Sequence, residues 1–359
     1  MFYFIYSLIF FIVGLILSTQ QKIKTPYLVF YYLGIVLFWG LSYIDAADTP
    51  SYIDKFYYGI QTIPGYIDTQ YELGYTITAM VCKTIYPHYW LYQFFIFGVE
   101  VFLIFKGVRY FFDDRTFLAI IPLLFFVYPT NVYAFRQGIA ASIFIYALQY
   151  INAETVKKSL LYLLFIAIAV LFHQSAIMLV LIYPIRFAKR FFSYNWVVLG
   201  ILFLGDLIWV TGSSISSKLE FLMSFFFNDS MTMGEKYVAI YESGSMNGAF
   251  GLAKVIEINI GVILYTLFCK NDKDNELLRF NLLIFVIAAL YIGGFVGHRL
   301  NYYWTILYYV CFLRGLLAIS DNNSKTRILI FLLLAIYMFW FYIFWCDYYN
   351  DKYTFLFNF

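Results

Sequence analysis

Charge is scarce in this chain, and its scarcity excludes a soluble architecture. Only 13% of the 359 residues are Asp, Glu, Lys or Arg, against 63% hydrophobic and 24% aromatic residues, and the mean hydropathy is +0.76. A water-soluble domain of this length could not cover its surface with so few polar groups. Cysteine is nearly absent too. Cys82, Cys269, Cys311 and Cys346 stand far apart with no CxxC pair, so neither a zinc site nor a disulfide framework is expected, and they read as small packed or lipid-facing hydrophobes. No GxGxxG or Walker stretch occurs and no DxD-like metal motif accompanies a nucleotide-sugar site, which argues against a nucleotide-bound donor; no cofactor and no metal are expected. The net charge of +3 is too small to imply a nucleic-acid partner. The first apolar segment lacks a basic n-region and an A-x-A site, so Phe2 to Ser18 reads as a retained span. Nor is there an internal repeat of the kind that builds inverted transporter halves.

What the chain has instead is a series of long apolar runs separated by short charged loops. These predict an all-α, polytopic transmembrane bundle of about 11–12 membrane helices, some short or re-entrant. The expected organisation is one integral membrane domain over 1–359, with extracytoplasmic loops at about 45–72 and 211–251. Spans are expected over Phe2 to Ser18, Tyr27 to Ile44, Trp90 to Ile104 and Phe117 to Tyr128, then from about Asn131 to Ile151. Further spans are expected over Tyr194 to Val210, Val255 to Cys269, Phe280 to Val296, His298 to Arg314 and Ile328 to Trp345, with an extracytoplasmic tail from Asp347. Leu73 to Pro87 is too short to cross and reads as re-entrant or interfacial. Leu160 to Ile185 is basic at both ends, so a hairpin with its apex near His173 satisfies the charge rule where one crossing would not. On this layout most of the 24 lysines and arginines fall on the cytoplasmic side, Arg279 among them. Glu100 reads as a packed, partnered acid, and Lys83 as a paired or snorkelling lysine.

Three outward turns are each followed by a cationic or titratable side chain at the head of an inward-running segment: Arg136, His173 and Arg299. A charge at bilayer depth costs at least about 2.5 to 3.5 kcal/mol, and arginine cannot shed its proton, so Arg136 points to an anionic partner. Helix starts add free N–H groups and the positive end of the macrodipole. The acids Asp45, Asp48 and Glu72 of the first external loop, together with Tyr133 and Gln137 beside Arg136, are candidate substrate-binding residues. A bland reading stands beside each. Either arginine could snorkel to phospholipid, His173 could be a satisfied buried histidine, and the acids could be solvated.

The segments DAADTPSYIDKF (Asp45 to Phe56), YELGYTITAM (Tyr71 to Met80), NVYAFRQGIAASIF (Asn131 to Phe144), LFHQSAIMLVLIYP (Leu171 to Pro184) and HRLNYYW (His298 to Trp304) resemble the EpsG family of Wzy-like polysaccharide polymerases. FRQGIA and FHQSA, in that order and one membrane helix apart, are the specific part. The resemblance implies a glycosyltransferase-C-like membrane enzyme that joins undecaprenyl-diphosphate-linked oligosaccharide repeat units on the outer face of the bacterial inner membrane. The product would be an exopolysaccharide, capsule or O-antigen chain. The implied partners are that lipid-linked oligosaccharide, membrane lipids and other polysaccharide-assembly proteins. The family pattern matches at Asp48, Glu72, Arg136, His173 and Arg299. Arg136 and Arg299 would stabilise charge on the leaving diphosphate, while His173, or one of Asp48 and Glu72, would assist the attacking sugar hydroxyl. Two rival classes remain: a flippase or transporter of the same lipid-linked glycan, and a membrane acyltransferase acting on a surface polysaccharide.

Overall fold

The computed structural model describes residues 2–20, 22–44, 49–59, 72–112, 116–127, 135–151, 155–185, 194–211, 252–269, 273–292, 294–319 and 324–355. In chain order the elements begin with α1 (Phe2–Thr19), α2 (Thr25–Gly40), β1 (Ser42–Ile44) and α3 (Thr49–Asp54), the last continuing as a π-helical turn, Lys55–Gly59. Next come α4 (Leu73–Ile85), α5 (Tyr89–Phe111), α6 (Phe117–Val127), α7 (Phe135–Ala147) and α8 (Val156–Phe172). A 3₁₀ segment, Gln174–Leu181, runs into a single helical turn, Ile182–Ile185. Then follow α9 (Asn195–Thr211), α10 (Leu252–Phe268), α11 (Lys273–Val286) with a π-helical extension Ile287–Ile292, α12 (Gly294–Ile319), α13 (Ser324–Lys352) and β2 (Tyr353–Phe355). The fold is therefore essentially all helical. Its one described sheet is the two-stranded antiparallel pair of β1 and β2, with Tyr43 opposite Thr354. The chain forms two compact units, residues 1–184 with 324–359, and residues 185–323.

The outward faces of the helices are apolar. Ile5, Ile9, Ile12 and Ile16 lie exposed along α1, Phe30, Leu33 and Leu37 along α2, Phe203, Leu207 and Val210 along α9, and Ile328, Leu332 and Ile336 along α13. Apolar stripes of this extent are not stable against water, where contiguous patches rarely exceed a few hundred Å². They are the faces a helical membrane protein turns to lipid. Among the described residues, Tyr89–Phe111 and Leu300–Ile319 are long and apolar enough to cross a bilayer. α4 has 13 residues, so at about 1.5 Å per residue it is roughly 20 Å long and falls short of a hydrocarbon core.

In the first unit, α5 and α7 run parallel in register. The rings of Phe97 and Phe135 meet edge to face at 5.5 Å, and ten residues further along Gly107 lies against the backbone of Ile145. A Cβ at Gly107 would fall 2.8 Å from the Ile145 carbonyl oxygen, so only glycine permits that approach. α2 is tied to its neighbours through tyrosines: Tyr31 donates to the Leu118 carbonyl at 2.5 Å, and Tyr32 to that of Gly98. Buried hydroxyls are thereby satisfied without spending charge.

Several expectations are corrected. The loop from Asp45 is not loop throughout, since Thr49–Gly59 is helical and docks on α4. There Lys83 donates to the carbonyls of Phe56 and Tyr57 at 2.8 and 2.9 Å, so it is a paired lysine that caps a helical turn. Glu100 is fully buried, but among the described residues neither carboxyl oxygen has a hydrogen-bond partner, so it is not the partnered acid expected. In the second unit Arg279 is not a loop cation. It is 1% exposed within α11 and donates to the carbonyls of Thr266 and Cys269 and to Asn195 Oδ1, where it meets the negative end of α10. The helix expected to open at His298 begins earlier, at Gly294, and α13 runs on to Lys352 where an external tail was expected.

Candidate functional site

The site of the first unit is built where three segments meet: the head of α4, the head of α7 and the turn after α8. Glu72 is the residue before α4. Its backbone is extended, at φ −66° and ψ 154°, and its carbonyl accepts the Thr76 N–H, so the peptide closes the first helical bond. Its side chain makes no capping bond and is free to reach across the bundle. It pairs there with Arg136, whose Nη1 donates to Glu72 Oε2. The two side chains are only 15% and 12% exposed, so water screens the pair weakly.

Arg136 sits in the first turn of α7 and is shaped by a third partner. Its Nε donates to the Tyr52 hydroxyl at 3.3 Å, and its guanidinium lies 5.6 Å from the Tyr52 ring centre. Tyr52 comes from α3. The Tyr75 hydroxyl donates to its carbonyl at 3.2 Å, and its ring packs on those of Tyr75 and Phe135 at 5.6 and 5.8 Å. The planar cation thus lies against Tyr52, whose ring belongs to an aromatic cluster with Tyr75, Tyr92 and Phe135, a setting that suits arginine better than lysine.

The third segment is the turn at His173. α8 ends at Phe172, and His173 takes an extended conformation, φ −155° and ψ 117°. The chain then folds back along α8, with the Tyr162 hydroxyl donating to the Leu179 carbonyl at 2.8 Å and the rings of Tyr162 and Tyr183 stacking at 6.1 Å. This is the hairpin that the paired basic flanks imply. At its apex the Gln174 N–H donates to Glu72 Oε1 at 3.3 Å, and His173 Nδ1 shares a proton with Ser175 Oγ at 2.7 Å. Glu72 is therefore held at both oxygens, by Arg136 on one side and by the backbone beside His173 on the other.

Gly74 makes the approach possible. A Cβ there would fall 2.7 Å from the Leu171 carbonyl oxygen and 2.9 Å from its carbon, two residues before the turn. Gly74→Ala should therefore part α4 from α8. Overpacking of this kind costs about 1–3 kcal/mol, which outweighs the gain of at most about 1 kcal/mol from helix propensity. The expected result is a lowered melting temperature of the detergent-solubilised protein together with loss of the Glu72 to Gln174 contact. An unchanged melting temperature would show that the helices yield without cost.

Of the residues singled out in the sequence, Glu72, Arg136 and the His173 turn come together, and Gln137 is buried on α7 next to Arg136. Asp45, Asp48 and Tyr133 lie outside the described residues. Arg299 belongs to α12 of the second unit, near its start. Sequence reasoning missed Tyr52 and Ser175. Tyr52 stands inside a segment already marked as characteristic, but with 36 tyrosines in the chain no periodicity distinguishes it. Ser175, two residues after a turn histidine, carried a signal that could have been used.

Fold and site together define a helical membrane protein with a mostly buried arginine–carboxylate pair in its first unit. The EpsG family model matches residues 25–358, nearly the whole chain, and the protein belongs to that family. That membership makes it a membrane protein of polysaccharide biosynthesis. No curated protein and no solved structure matches it.

Proposed function

We propose that the protein is a polysaccharide polymerase, a membrane glycosyltransferase that extends a glycan by transferring undecaprenyl-diphosphate-linked repeat units at the outer face of the inner membrane. The carrying observation is the Arg136 site: a mostly buried guanidinium, backed by Tyr52, opposed by a carboxylate and flanked by a histidine turn. A lipid diphosphate gains negative charge as its glycosidic bond breaks, and a preorganised arginine stabilises that charge more in the transition state than in the ground state. The acceptor hydroxyl attacks the anomeric carbon, the bond to the diphosphate oxygen breaks, and the hydroxyl proton passes to a base, the role proposed for His173. Undecaprenyl diphosphate leaves. Arg299, near the head of a helix in the second unit, is a further proposed phosphate ligand, and the glycosyltransferase-C-like architecture belongs to the same proposal.

Lipid-linked and surface glycan profiling of a deletion strain tests this reading. A polymerase predicts that single repeat units still reach the surface while long chains vanish. Loss of all surface glycan would identify a flippase instead, and full-length chains lacking one substituent an acyltransferase.

A further inference from the structure

An arginine exposed at headgroup depth in a membrane faces a difficulty of competition. Phospholipid phosphates surround it at high local concentration, each able to take the guanidinium by charge and hydrogen bonding. A site meant for a scarce lipid diphosphate would be filled by common lipid. Glu72 occupies that position in this structure. Its Oε2 accepts from Arg136 Nη1, its Oε1 accepts from the Gln174 N–H at 3.3 Å, and its backbone is fixed as the residue that opens α4.

From this geometry we infer that Glu72 is a specificity-determining residue: a tethered carboxylate that guards Arg136 against singly charged phospholipid headgroups and yields to a diphosphate. The inference rests on the functional reading above. Glu72 carries one negative charge and is delivered intramolecularly, so it meets Arg136 at an effective concentration that free lipid must exceed. A phosphodiester headgroup also carries one charge. Exchanging it for Glu72 gains no charge, leaves a carboxylate to be accommodated in a mostly buried place, and forfeits the tether. A sugar-linked lipid diphosphate carries two charges side by side on oxygens that match the guanidinium fork, and so can displace the carboxylate where a phosphodiester cannot. Discrimination thus comes from a built-in competitor, a repulsive element set against the wrong ligand. Tyr52, which holds Nε from the other side, keeps the guanidinium plane fixed during the exchange.

The test uses the purified full-length chain in nanodiscs of phosphatidylethanolamine with graded fractions of phosphatidylglycerol, and undecaprenyl diphosphate as the probe. The parent should bind the probe with little competition from phosphatidylglycerol. Glu72→Gln keeps an oxygen for the Gln174 N–H but removes the competing charge, so phosphatidylglycerol should now compete and the preference for the diphosphate should fall about tenfold or more. Glu72→Asp, which keeps the charge, should retain most of the preference. The inference is overturned if Glu72→Gln keeps the parental preference, or if binding of both lipids falls together as a purely structural role would require. It is overturned without any variant if phosphatidylglycerol already competes effectively with the probe in the parent. A parent that binds the probe no better than phosphatidylglycerol at any composition would overturn the diphosphate reading itself.

Discussion

Exchange of Arg136 for lysine will stop chain extension while leaving the protein in the membrane at near-normal abundance. The two halves of that result have separate causes. Lysine keeps a positive charge opposite Glu72, so the penalty of about 3–5 kcal/mol for leaving one member of a mostly buried ion pair alone is avoided. It loses the planar fork that can engage two phosphate oxygens at once, and with it the flat cation that lies on the Tyr52 ring and donates through Nε to its hydroxyl. Removing one preorganised donor from a site of developing negative charge costs about 100- to 1,000-fold in rate. Arg136→Lys should therefore yield single repeat units with at least about a hundredfold loss of polymer, whereas Arg136→Ala should also lower protein abundance. Glycan gels and membrane immunoblots measure both. Long chains made at the parental level by Arg136→Lys would reduce Arg136 to a structural counter-ion for Glu72.

The parts of the molecule that sequence reasoning reached are those in which one local physical constraint dominates. Apolar run length marked most helices within a few residues, and the basic flanks of Leu160 to Ile185 required a reversal whose apex the structure places at His173. Arg136 was conspicuous because charge in an apolar segment is costly. Glu72 was singled out as a loop acid, but its pairing with Arg136 was not legible, since Glu72 lies 64 residues away and Tyr52 84 residues away, and no periodicity connects them. The docked turn at Thr49–Gly59 was hidden because it lies in a stretch read as an acidic loop with Pro50 as a breaker. Its order comes from Lys83 reaching its carbonyls, which is tertiary information. Arg279 misled for the opposite reason. The charge rule assigns cations to cytoplasmic loops, but this one is buried against the carbonyls that end a neighbouring helix. Nor did turn residues mark the sheet of Ser42–Ile44 with Tyr353–Phe355, which joins segments from nearly opposite ends of the chain. Ser42–Ile44 was expected as the end of a span that began at Tyr27, and Tyr353–Phe355 as part of the tail from Asp347.

His173→Asn is the substitution that separates chemistry from architecture at the turn. His173 is half-buried, its extended backbone ends α8, and its carbonyl accepts the Ala176 N–H at 2.9 Å, all of which asparagine can reproduce. The imidazole adds something asparagine cannot supply. Nδ1 and Ser175 Oγ share a hydrogen bond of 2.7 Å that orients the ring, and in the tautomer in which Nδ1–H donates to the serine, Nε2 is the basic nitrogen. A base so placed can take the proton of an incoming sugar hydroxyl, and such assistance is typically worth about 100- to 10,000-fold. The amide of asparagine can hydrogen-bond but has no comparable basicity. His173→Asn should accordingly insert normally, bind undecaprenyl diphosphate as the parent does, and lose polymerisation by about two orders of magnitude or more. Ser175→Ala removes the hydrogen bond to Nδ1 and keeps the imidazole, so its loss should be smaller and of the same kind. Normal chain length from His173→Asn would move the proton-accepting role to Glu72 or Asp48, and disappearance of that variant from the membrane would make the histidine a structural residue of the hairpin. Retention of lipid binding with loss of transfer places it at the acceptor.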